Sequence, residues 1–584
     1  MNLRFQPGGV CLPDSQYRDP ESDHSRGWLL LSIALLLTGL VYGATLGFRF
    51  VYDDGPQIIL NPTLTSWHSL PAFFRGNTWQ FLVPDWAGNY YRPIFMTWLL
   101  MNRMAWGLNP VAWHAAAVCL HLVATTLAFL LARRLLGSGI QAGITAVIFG
   151  LHPIHIESVA WISGATDSLM AVFVFAAFLA WIRGQDSDQH LLWLILTALL
   201  YFLGCLSKET AFPLPFMVLV YTYLFQKDQT LWRSLVGTMP FWIVSVLYLI
   251  LRSSALRGLA HLYPTPIHEV VLSLPLILWE YIRRLIYPVG LSLFYDLPPV
   301  TTFWHWRFWI PFAVLVGAAI LISRARARFP IEFFSISWIL FFLAPAMLGV
   351  FLFPIGEWVH DRYLYLPCFG LCLLLGRSIG KLRSDFKMFS RPAAPLVVTA
   401  PLTVALSFGT AWQQQYWANS LLLYVRSVNA APRNPWAKGY LAGELQRIGD
   451  KANAARIYQE ALELDPLNWK NNASYGLLLY ELGDYRGADR FLTRAIDGDP
   501  TDPNAHYNQG MSRINYGNFA GAEISFREAL QRNPKLSLAH YWLGYAMEKQ
   551  GRTDVAIEQY EAEIRNHPEN SAETRKRLEA LERK

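Results

Sequence analysis

The sequence predicts an all-α protein in two parts, a bundle of about eleven membrane-spanning helices followed by an α-solenoid of short helical repeats. Apolar residues make up 53% of the chain and charged residues only 16%, whereas charged residues are about a quarter of an ordinary soluble protein. This composition places much of the chain in lipid. After residue 412 the composition becomes that of a soluble protein, and proline recurs there at a fixed spacing.

The charged residues and cysteines give no sign of a nucleic-acid or metal-binding protein. A net charge of +7 requires no nucleic-acid partner, because many arginines and lysines lie in short loops between apolar segments, where they set the topology. Four of the five cysteines lie in apolar stretches without metal-ligand spacing, which favours buried small side chains. Residues 1–27 lack the apolar core of a cleavable signal peptide. We expect them to form a cytoplasmic tail before a first helix that remains as an anchor.

Eleven apolar segments are predicted to cross ~30 Å of hydrocarbon as helices. They are Trp28 to Phe48 and, approximately, 111–132, 140–160, 165–182, 191–206, 211–226, 235–252, 307–323, 331–353, 361–379 and 394–411. A shorter segment, 94–108, is interrupted by Asn102 and Arg103. We interpret it as an interfacial helix, although a spanning one remains an alternative.

Segment 268–288 decides the topology. It contains Glu280, Arg283 and Arg284, and a charge at the centre of a span costs ~2.5–3.5 kcal/mol. If this segment does not cross, the basic loops all fall on the cytoplasmic side. A twelfth span would place the last two basic clusters outside, against the positive-inside rule. Eleven spans therefore put the loop after the first helix and the C-terminal region on the non-cytoplasmic side.

The C-terminal region repeats every 34 residues, as shown by Pro432, Pro466, Pro500, Pro534 and Pro568. Small residues recur at matching offsets, at Gly476, Gly510, Gly544, Ala454, Ala488, Ala522 and Ala556. This is the tetratricopeptide pattern, in which small residues lie where paired helices touch. The predicted domains are the membrane domain 28–412, a connecting helix 413–432, four repeats over 433–568 and a polar capping helix 569–584.

Four groups of charged residues are expected at the non-cytoplasmic ends of the helices. The first is Asp53-Asp54. These two acids could simply form a turn, but adjacent carboxylates are costly to hold near hydrocarbon, which favours a functional role. The other candidates follow later spans: His152, His155, Glu157, Asp167, Lys208, Glu209, His360, Asp361 and Arg362, with Arg75 and Arg92 in the first loop. Arginine and lysine would neutralise a phosphate, and a carboxylate would take a proton from an acceptor hydroxyl.

Several of these residues have alternative interpretations. Lys208 and Glu209 could form a local ion pair in a hairpin, and Asp361-Arg362 could be an interfacial pair that positions a helix. His152 and His155 are three residues apart across a proline, which favours hydrogen bonding within the loop over metal ligation. We therefore predict no metal site. Outside these groups, Arg252 and Arg257 could equally be phosphate ligands or interfacial anchors.

Together these motifs resemble the transmembrane and tetratricopeptide-repeat O-mannosyltransferases, which are related to the protein O-mannosyltransferases of the GT-C class. The resemblance covers nearly all residues from 28 to 568. It rests on the repeats and on the segments Val51-Tyr52-Asp53-Asp54 through Asn61-Pro62, Tyr91-Arg92-Pro93, Leu151 to Ala160, Ser207 to Thr210 and Asp361 to Pro367. It implies a GT-C-type membrane domain that transfers sugars from polyprenyl-phosphate carriers.

The resemblance also implies roles for individual residues. Asp53 would be the catalytic base and Asp54 would support it, although which acid is the base stays open. The phosphate-binding residues would be Arg92, Lys208 and Arg362, and the substrate pocket would contain His152, His155, Glu157, Asp167, Glu209, His360 and Asp361. The polyprenyl-phosphate sugar is a substrate, and no cofactor is expected. Two departures, the His360-Asp361-Arg362 run and the short repeat array, leave the sugar and the acceptor open.

We therefore expect a glycosyltransferase that moves mannose or a similar hexose to a Ser or Thr hydroxyl of a protein on the non-cytoplasmic side. The membrane would be a bacterial inner membrane, or that of the endoplasmic reticulum in a eukaryote. The expected partners are the lipid bilayer and an acceptor protein held by the repeats. Alternatives are a membrane-anchored repeat scaffold without enzymatic activity, a transporter of lipid-linked sugars, and sugar transfer to a glycan or lipid.

Overall fold

A computed structural model of the chain describes residues 20–82, 88–226, 231–258, 261–263, 265–382, 387–388, 391–392, 394–568 and 571–582. The predicted all-α fold is confirmed. In the described residues the exception is one antiparallel pair of two-residue strands, β1 (Lys387–Met388) and β2 (Arg391–Pro392). The chain divides into two compact units, Met1–Leu293 with Leu297–Leu423 and Phe294–Asp296 with Tyr424–Lys584.

The first unit is built of long apolar helices joined by short turns. Its α-helices are α1 (Pro20–Gly43), α2 (Leu70–Phe73), α3 (Pro93–Trp106), α4 (Pro110–Leu136), α5 (Gly139–Leu151), α6 (Ile156–Ala160), α7 (Thr166–Gln185), α8 (His190–Ser207), α9 (Leu214–Phe225), α10 (Leu231–Gly237), α11 (Met239–Leu256), α12 (Ile267–Ile286), α13 (Trp306–Ala325), α14 (Pro330–Gly349), α15 (Tyr365–Gly380) and α16 (Ala394–Gln414). Short 3-10 turns lie at Ala44–Gly47, Pro62–Thr65, Trp67–Ser69, Pro153–His155, Ser163–Ala165, Glu209–Ala211, Val350–Leu352, Asp361–Leu364 and Gln415–Trp417, and a π turn at Gly55–Ile59.

The helices that could span a membrane lie where the sequence predicts them. In the described part of the chain, nine helices are long and apolar enough, and a tenth is a pair, Gly139–Leu151 and Pro153–Val159, bent by 48°. The remaining predicted span, 211–226, coincides with the shorter apolar helix Glu209–Phe225. Neither α3 nor α12 is among these candidates. The chain is therefore a multi-pass membrane protein.

Local signals in the sequence explain where these helices start and stop. The Asn109 side chain accepts a hydrogen bond from the Val111 N–H at the start of α4, as expected of an N-cap. The same helix ends at Gly137, whose φ of 65° is the left-handed conformation that glycine adopts readily. Asp23 of α1 caps the start of α5, because its carboxylate accepts a hydrogen bond from the Gly139 N–H at 2.6 Å.

Small residues let α5 and α15 approach closely in the interior of the bundle. A Cβ atom at Gly376 would lie 2.1 Å from Thr145 Oγ1, and one at Gly380 would lie 2.5 Å from Gln141 Cγ. Small residues spaced four apart are common where membrane helices pack, because hydrocarbon provides no hydrophobic drive for association. Almost every residue of α5 is buried, so this helix lies in the core that supports the site.

The second unit consists of paired helices of the repeat. They are α17 (Ser420–Ala430), α18 (Pro435–Arg447), α19 (Lys451–Leu464), α20 (Trp469–Glu481), α21 (Tyr485–Gly498), α22 (Pro503–Asn515), α23 (Phe519–Arg532), α24 (Ala539–Lys549), α25 (Thr553–Asn566) and α26 (Ala572–Glu582). Each repeat packs a small residue against a bulky one, as predicted: a Cβ at Gly510 would lie 2.8 Å from Phe526, and one at Gly544 would lie 2.9 Å from Tyr560.

Candidate active site

Asp54 fixes the loop that follows the first membrane helix. Its side chain is fully buried, and its Oδ1 accepts hydrogen bonds from the Ser163 N–H at 2.8 Å and the Ser163 hydroxyl at 2.6 Å. Its Oδ2 accepts from the Val51 N–H at 3.1 Å. These bonds tie the loop to the 3-10 turn before α7. Between them, Tyr52 takes a φ of 52°, so the loop turns sharply there.

The two adjacent acids lie in different environments. Burial raises the pKa of Asp54 to about 7, because it outweighs the hydrogen bonds from Ser163 and Val51 that lower it. The neighbouring charge of Asp53 raises that pKa further. Asp53 itself is half-buried, and its carbonyl accepts from the Gln57 N–H at 2.8 Å. The more accessible acid is therefore Asp53, whereas Asp54 holds the loop in place.

Three ion pairs join the other predicted groups, and we call them the ion-pair group. Arg92 binds Glu209 through two nitrogens, at 2.6 and 3.1 Å. Lys208 Nζ lies 2.7 Å from both carboxylate oxygens of Asp167. Arg362 forms an ion pair with Glu157, and its backbone N–H donates to the same carboxylate at 3.0 Å.

These contacts correct one sequence-based alternative and qualify another prediction. Lys208 and Glu209 do not pair with each other, because each finds a partner on a different segment. The three cations that we predicted to bind phosphate, Arg92, Lys208 and Arg362, each already contact a carboxylate. A phosphate would therefore have to share these cations with protein carboxylates.

The three pairs differ in burial. The Lys208 side chain is 0% exposed and that of Asp167 is 2% exposed, whereas Arg92 and Arg362 are each 13% exposed. Burial lowers the pKa of Lys208 to about 8, although the charge of Asp167 opposes this shift. Such a buried pair is costly to separate. Arg92 and Arg362 are therefore more accessible to a ligand than Lys208.

Aromatic rings connect the ion-pair group to the Asp53 loop. The Tyr363 ring lies 4.7 Å from Lys208 Nζ and 5.2 Å from the Arg362 guanidinium. Arg362 also covers Trp161 at 5.3 Å, and the Trp161 ring lies 5.4 Å from that of Tyr52. Sequence reasoning missed Trp161 and Tyr363 as site residues. The sequence offered one indication of their importance: Trp161 directly follows the motif that ends at Ala160, and Tyr363 directly follows Arg362.

The two predicted pocket histidines pack beneath the loop. His152 Nδ1 accepts from the Ile154 N–H at 3.3 Å, which matches the predicted hydrogen bonding within the loop. The His155 ring lies 4.4 Å from that of Tyr365 and 4.6 Å from that of Phe149. No group of three or more His, Cys, Asp or Glu residues that could hold a metal occurs in the described ranges.

The remaining predicted residues, His360 and Asp361, begin the 3-10 turn Asp361–Leu364 and are both buried. The His360 N–H donates to the Tyr281 hydroxyl of α12 at 3.4 Å. The His360 ring also lies 5.7 Å from that of Tyr363. These contacts hold the Arg362 segment against α12. The Arg362 guanidinium itself pairs with Glu157. The alternative in which an interfacial Asp361–Arg362 pair positions the helix stays a prediction.

A separate cavity of about 210 Å³ lies within the repeat unit, between α18 and α20. Its lining includes Tyr424, Trp436, Tyr440, Tyr458, Lys470 and Asn471. Two glycines open it: Gly439 and Gly443 correspond to Ala473 and Leu477 of the next repeat and to Tyr507 and Met511 of the one after. A Cβ at Gly443 would lie 3.3 Å from the Tyr458 hydroxyl. The Lys470 ammonium donates to the Tyr440 hydroxyl at 2.8 Å.

Comparisons with known proteins find a family match in each of the two units. A family described as dolichyl-phosphate-mannose-protein mannosyltransferase matches residues 91–256, and a tetratricopeptide repeat family matches residues 441–503 and 507–571. The first match includes five members of the ion-pair group, all but Arg362: Arg92, Glu157, Asp167, Lys208 and Glu209.

Relatives named protein O-mannosyl-transferase are similar over most of the chain. One from Caenorhabditis elegans is 24% identical over 480 residues, which are 80% of this chain and 67% of that protein. TMTC1 of Homo sapiens is 26% identical over 77% of this chain and 57% of its own length. TMTC3 of Mus musculus is 22% identical over 75% and 51% respectively. The chain thus spans about half to two thirds of the length of these relatives.

Among solved structures, MamA from Desulfovibrio magneticus RS-1 aligns with 30% of this chain and 97% of its own, at 16% identity and a TM-score of 0.25. The relationship of this chain is shown by the family matches and the relatives, and not by the structural match. They confirm the resemblance that the sequence motifs indicate. The chain joins a mannosyltransferase-like membrane region to tetratricopeptide repeats, and it is related to the protein O-mannosyltransferases.

Proposed function

We propose that the protein is a membrane glycosyltransferase that moves mannose or a similar hexose from a polyprenyl-phosphate carrier to a Ser or Thr hydroxyl of an acceptor protein. The observation that carries this proposal is the ion-pair group, five of whose six members lie within the mannosyltransferase match, linked through Trp161 and Tyr52 to the loop of the half-buried Asp53. The proposed reaction takes place on the non-cytoplasmic side of a bacterial inner membrane or of the endoplasmic reticulum membrane. No metal takes part in the proposed reaction.

In this proposal Asp53 is the general base. A base must be within reach of the acceptor hydroxyl, and Asp53 is half-buried, whereas Asp54 is enclosed by its hydrogen bonds to Ser163 and Val51. The hydroxyl oxygen attacks the anomeric carbon while its proton passes to Asp53. The bond from that carbon to the carrier phosphate breaks, so the configuration inverts. Holding base, acceptor and donor in line contributes much of the acceleration.

Arg92 and Arg362 are the proposed ligands of the leaving phosphate. Both guanidiniums are partly accessible and lie at aromatic rings, Arg92 4.7 Å from the Tyr90 ring and Arg362 5.2 Å from the Tyr363 ring. A guanidinium binds phosphate through two parallel hydrogen bonds. Their carboxylate partners, Glu209 and Glu157, fix the direction of each guanidinium before the donor arrives.

The repeats are proposed to hold the acceptor protein. The glycine-lined cavity between α18 and α20 combines aromatic walls with Lys470 and Asn471, which suits one side chain of an extended segment. Concave faces of such repeats form extended binding surfaces. Recruitment of a separate partner protein by the same cavity is the alternative for this unit.

The proposed activity is tested with the purified full chain in lipid nanodiscs. Wild type, Asp53→Asn and, as a matched control, Asp186→Asn are supplied with polyprenyl-phosphate mannose and Ser/Thr-containing peptides. Asp186 is an exposed acid paired with Arg134. Because a general base contributes 10²–10⁴-fold, Asp53→Asn should lower sugar transfer by about 100-fold or more, and the control should match wild type.

Two results would contradict the proposal. Equal transfer by wild type and Asp53→Asn would remove the role of Asp53. No transfer by wild type with mannose, glucose or aminosugar donors would favour the scaffold without enzymatic activity.

A further inference from the structure

Arg252 is a buried cation beside the ion-pair group that the reaction as described does not use. It lies in the last turns of α11, and its side chain is only 8% exposed. An interfacial anchor would extend its guanidinium into water or headgroups. The burial of Arg252 argues against the role of an interfacial anchor.

The hydrogen bonds of Arg252 are incomplete. Nη2 donates to the Asn89 carbonyl at 2.7 Å. Nη1 is buried and makes no hydrogen bond of good geometry within the described ranges, although the buried Tyr248 hydroxyl lies close to this guanidinium. The position of Asn89 does not depend on Arg252 alone. The Asn89 side chain also exchanges two hydrogen bonds with the His261 backbone, at 2.8 and 2.9 Å. A buried charged donor without an acceptor is costly.

The charge around Arg252 also lacks a counterpart. Asn89, which Arg252 contacts, is three residues before Arg92 in the chain, and the charge of Arg252 acts on Glu209. The ion-pair group itself balances three cations with three carboxylates. Arg252 belongs to none of these three pairs. A phosphate oxygen would balance its charge and accept from Nη1.

We infer that Arg252 is a phosphate ligand of the donor, with Nη1 donating to a phosphate oxygen while Nη2 keeps its bond to Asn89. This inference rests on the proposed function, because it names a further residue of the same donor site. The site then takes one phosphate without breaking the pair between Arg92 and Glu209.

The test measures binding rather than sugar transfer. Full-length wild type, Arg252→Gln, Arg252→Lys and the control Arg283→Gln are placed in phosphatidylcholine nanodiscs. The probes are farnesyl phosphate, neutral farnesol and inorganic phosphate. Arg283 is a suitable control because its side chain is 41% exposed and pairs with Glu280.

Wild type and Arg283→Gln should bind farnesyl phosphate at least tenfold more tightly than farnesol. Arg252→Gln should lose most of that preference but bind farnesol normally. Arg252→Lys should be intermediate, because one ammonium replaces the two nitrogens that contact Asn89 and the phosphate. Unchanged farnesol binding in each variant shows that the lipid site is still folded.

The contrary outcomes separate this inference from the proposed function. If Arg252→Gln keeps the full preference of wild type, Arg252 is not a phosphate ligand and the proposed function is unaffected. If wild type itself shows no preference for farnesyl phosphate over farnesol, both the inference and the lipid-phosphate donor fail. If inorganic phosphate displaces farnesyl phosphate at equal concentration, the assignment to a lipid-linked phosphate is overturned.

Discussion

At the scale of single residues, Asp53 and Asp54 show how neighbours of one chemistry acquire different roles. Asp54 accepts three hydrogen bonds in a fully buried position, and Asp53 stays half-buried. The sequence predicts the pair and its importance. It cannot assign the roles, because the partner that encloses Asp54, Ser163, is more than a hundred residues away and carries no motif of its own.

The raised pKa of Asp54 predicts a pH dependence of stability. The folded protein keeps a proton on Asp54 up to about pH 7, whereas the acid ordinarily releases it near 3.8. The folded state therefore binds the extra proton between these values, and this contribution to stability falls as pH rises from about 4 to about 7. It should be constant above that range. Thermal unfolding of wild type and Asp54→Asn in detergent, compared from pH 4.5 to 8, measures it.

In that experiment the excess stability of wild type over Asp54→Asn should be greatest at the acid end and shrink toward neutrality. Glu561→Gln, a change at an exposed repeat carboxylate, is the control and should show no such trend. A difference between wild type and Asp54→Asn that is independent of pH would show that Asp54 is ionised throughout.

The ion pairs were also only partly predictable, because the two partners of each pair are far apart in the sequence. The sequence places Glu157, Asp167, Lys208, Glu209 and Arg362 at one face of the bundle. Which acid meets which base depends on how α7, α8 and the turn before α15 pack. Adjacency in sequence favoured Lys208 with Glu209, but the packed helices pair Lys208 with Asp167.

At the scale of elements, the two glycines of α18 create a cavity that the following repeats fill. Gly443 faces the Tyr458 hydroxyl, and the equivalent residue of the next repeat is Leu477. Since the repeat accommodates leucine there, Gly443→Leu should leave the fold intact and occupy the cavity. We expect acceptor-peptide binding to the full chain to weaken about tenfold or more, measured by fluorescence anisotropy.

The control for this variant is Leu467→Ala, which changes a residue that is 82% exposed and does not line the cavity. It should bind peptide as wild type does, and circular dichroism should show the same helix content in all three proteins. Unaltered peptide binding by a well-folded Gly443→Leu would show that the acceptor is held elsewhere.

The positions of the helices were predicted better than the bends and breaks within the membrane spans. The period of 34 residues locates the repeat helices, and apolar length locates the spans. The bend of 48° after Leu151 and the short helix Glu209–Phe225 were treated as continuous spans. Hydropathy averages over a window, so it does not register a proline that breaks a helix within an apolar run. Pro153 does so here, and His152 caps the turn that follows.

At the scale of the whole molecule, the predicted topology specifies which segments lie on each side of the membrane. α12 is not among the candidate spans of the described residues, and its charges are paired locally, Arg283 and Arg284 both with Glu280. Reporter fusions after residue 300 and at the C-terminus should therefore both report the non-cytoplasmic side. A fusion at the N-terminus should report the cytoplasm.

Paired alkaline phosphatase and green fluorescent protein fusions measure this topology, because the first is active outside and the second fluoresces inside. A further fusion after residue 327, between α13 and α14, is the internal control and should report the cytoplasm. A cytoplasmic signal after residue 300 would contradict the eleven-span arrangement and require α12 to cross.

Under the proposed function, the pairing of Arg92, Lys208 and Arg362 with carboxylates would affect how the protein selects its donor in a membrane rich in anionic lipids. Each cation has a resident competitor, Glu209, Asp167 or Glu157, tethered at high local concentration. Phospholipid headgroups must outcompete these tethered acids, and we expect their phosphates alone to do so poorly. A scarce carrier that adds sugar contacts to its phosphate can still prevail. The acids would then act as a filter that keeps the site vacant for a rare donor.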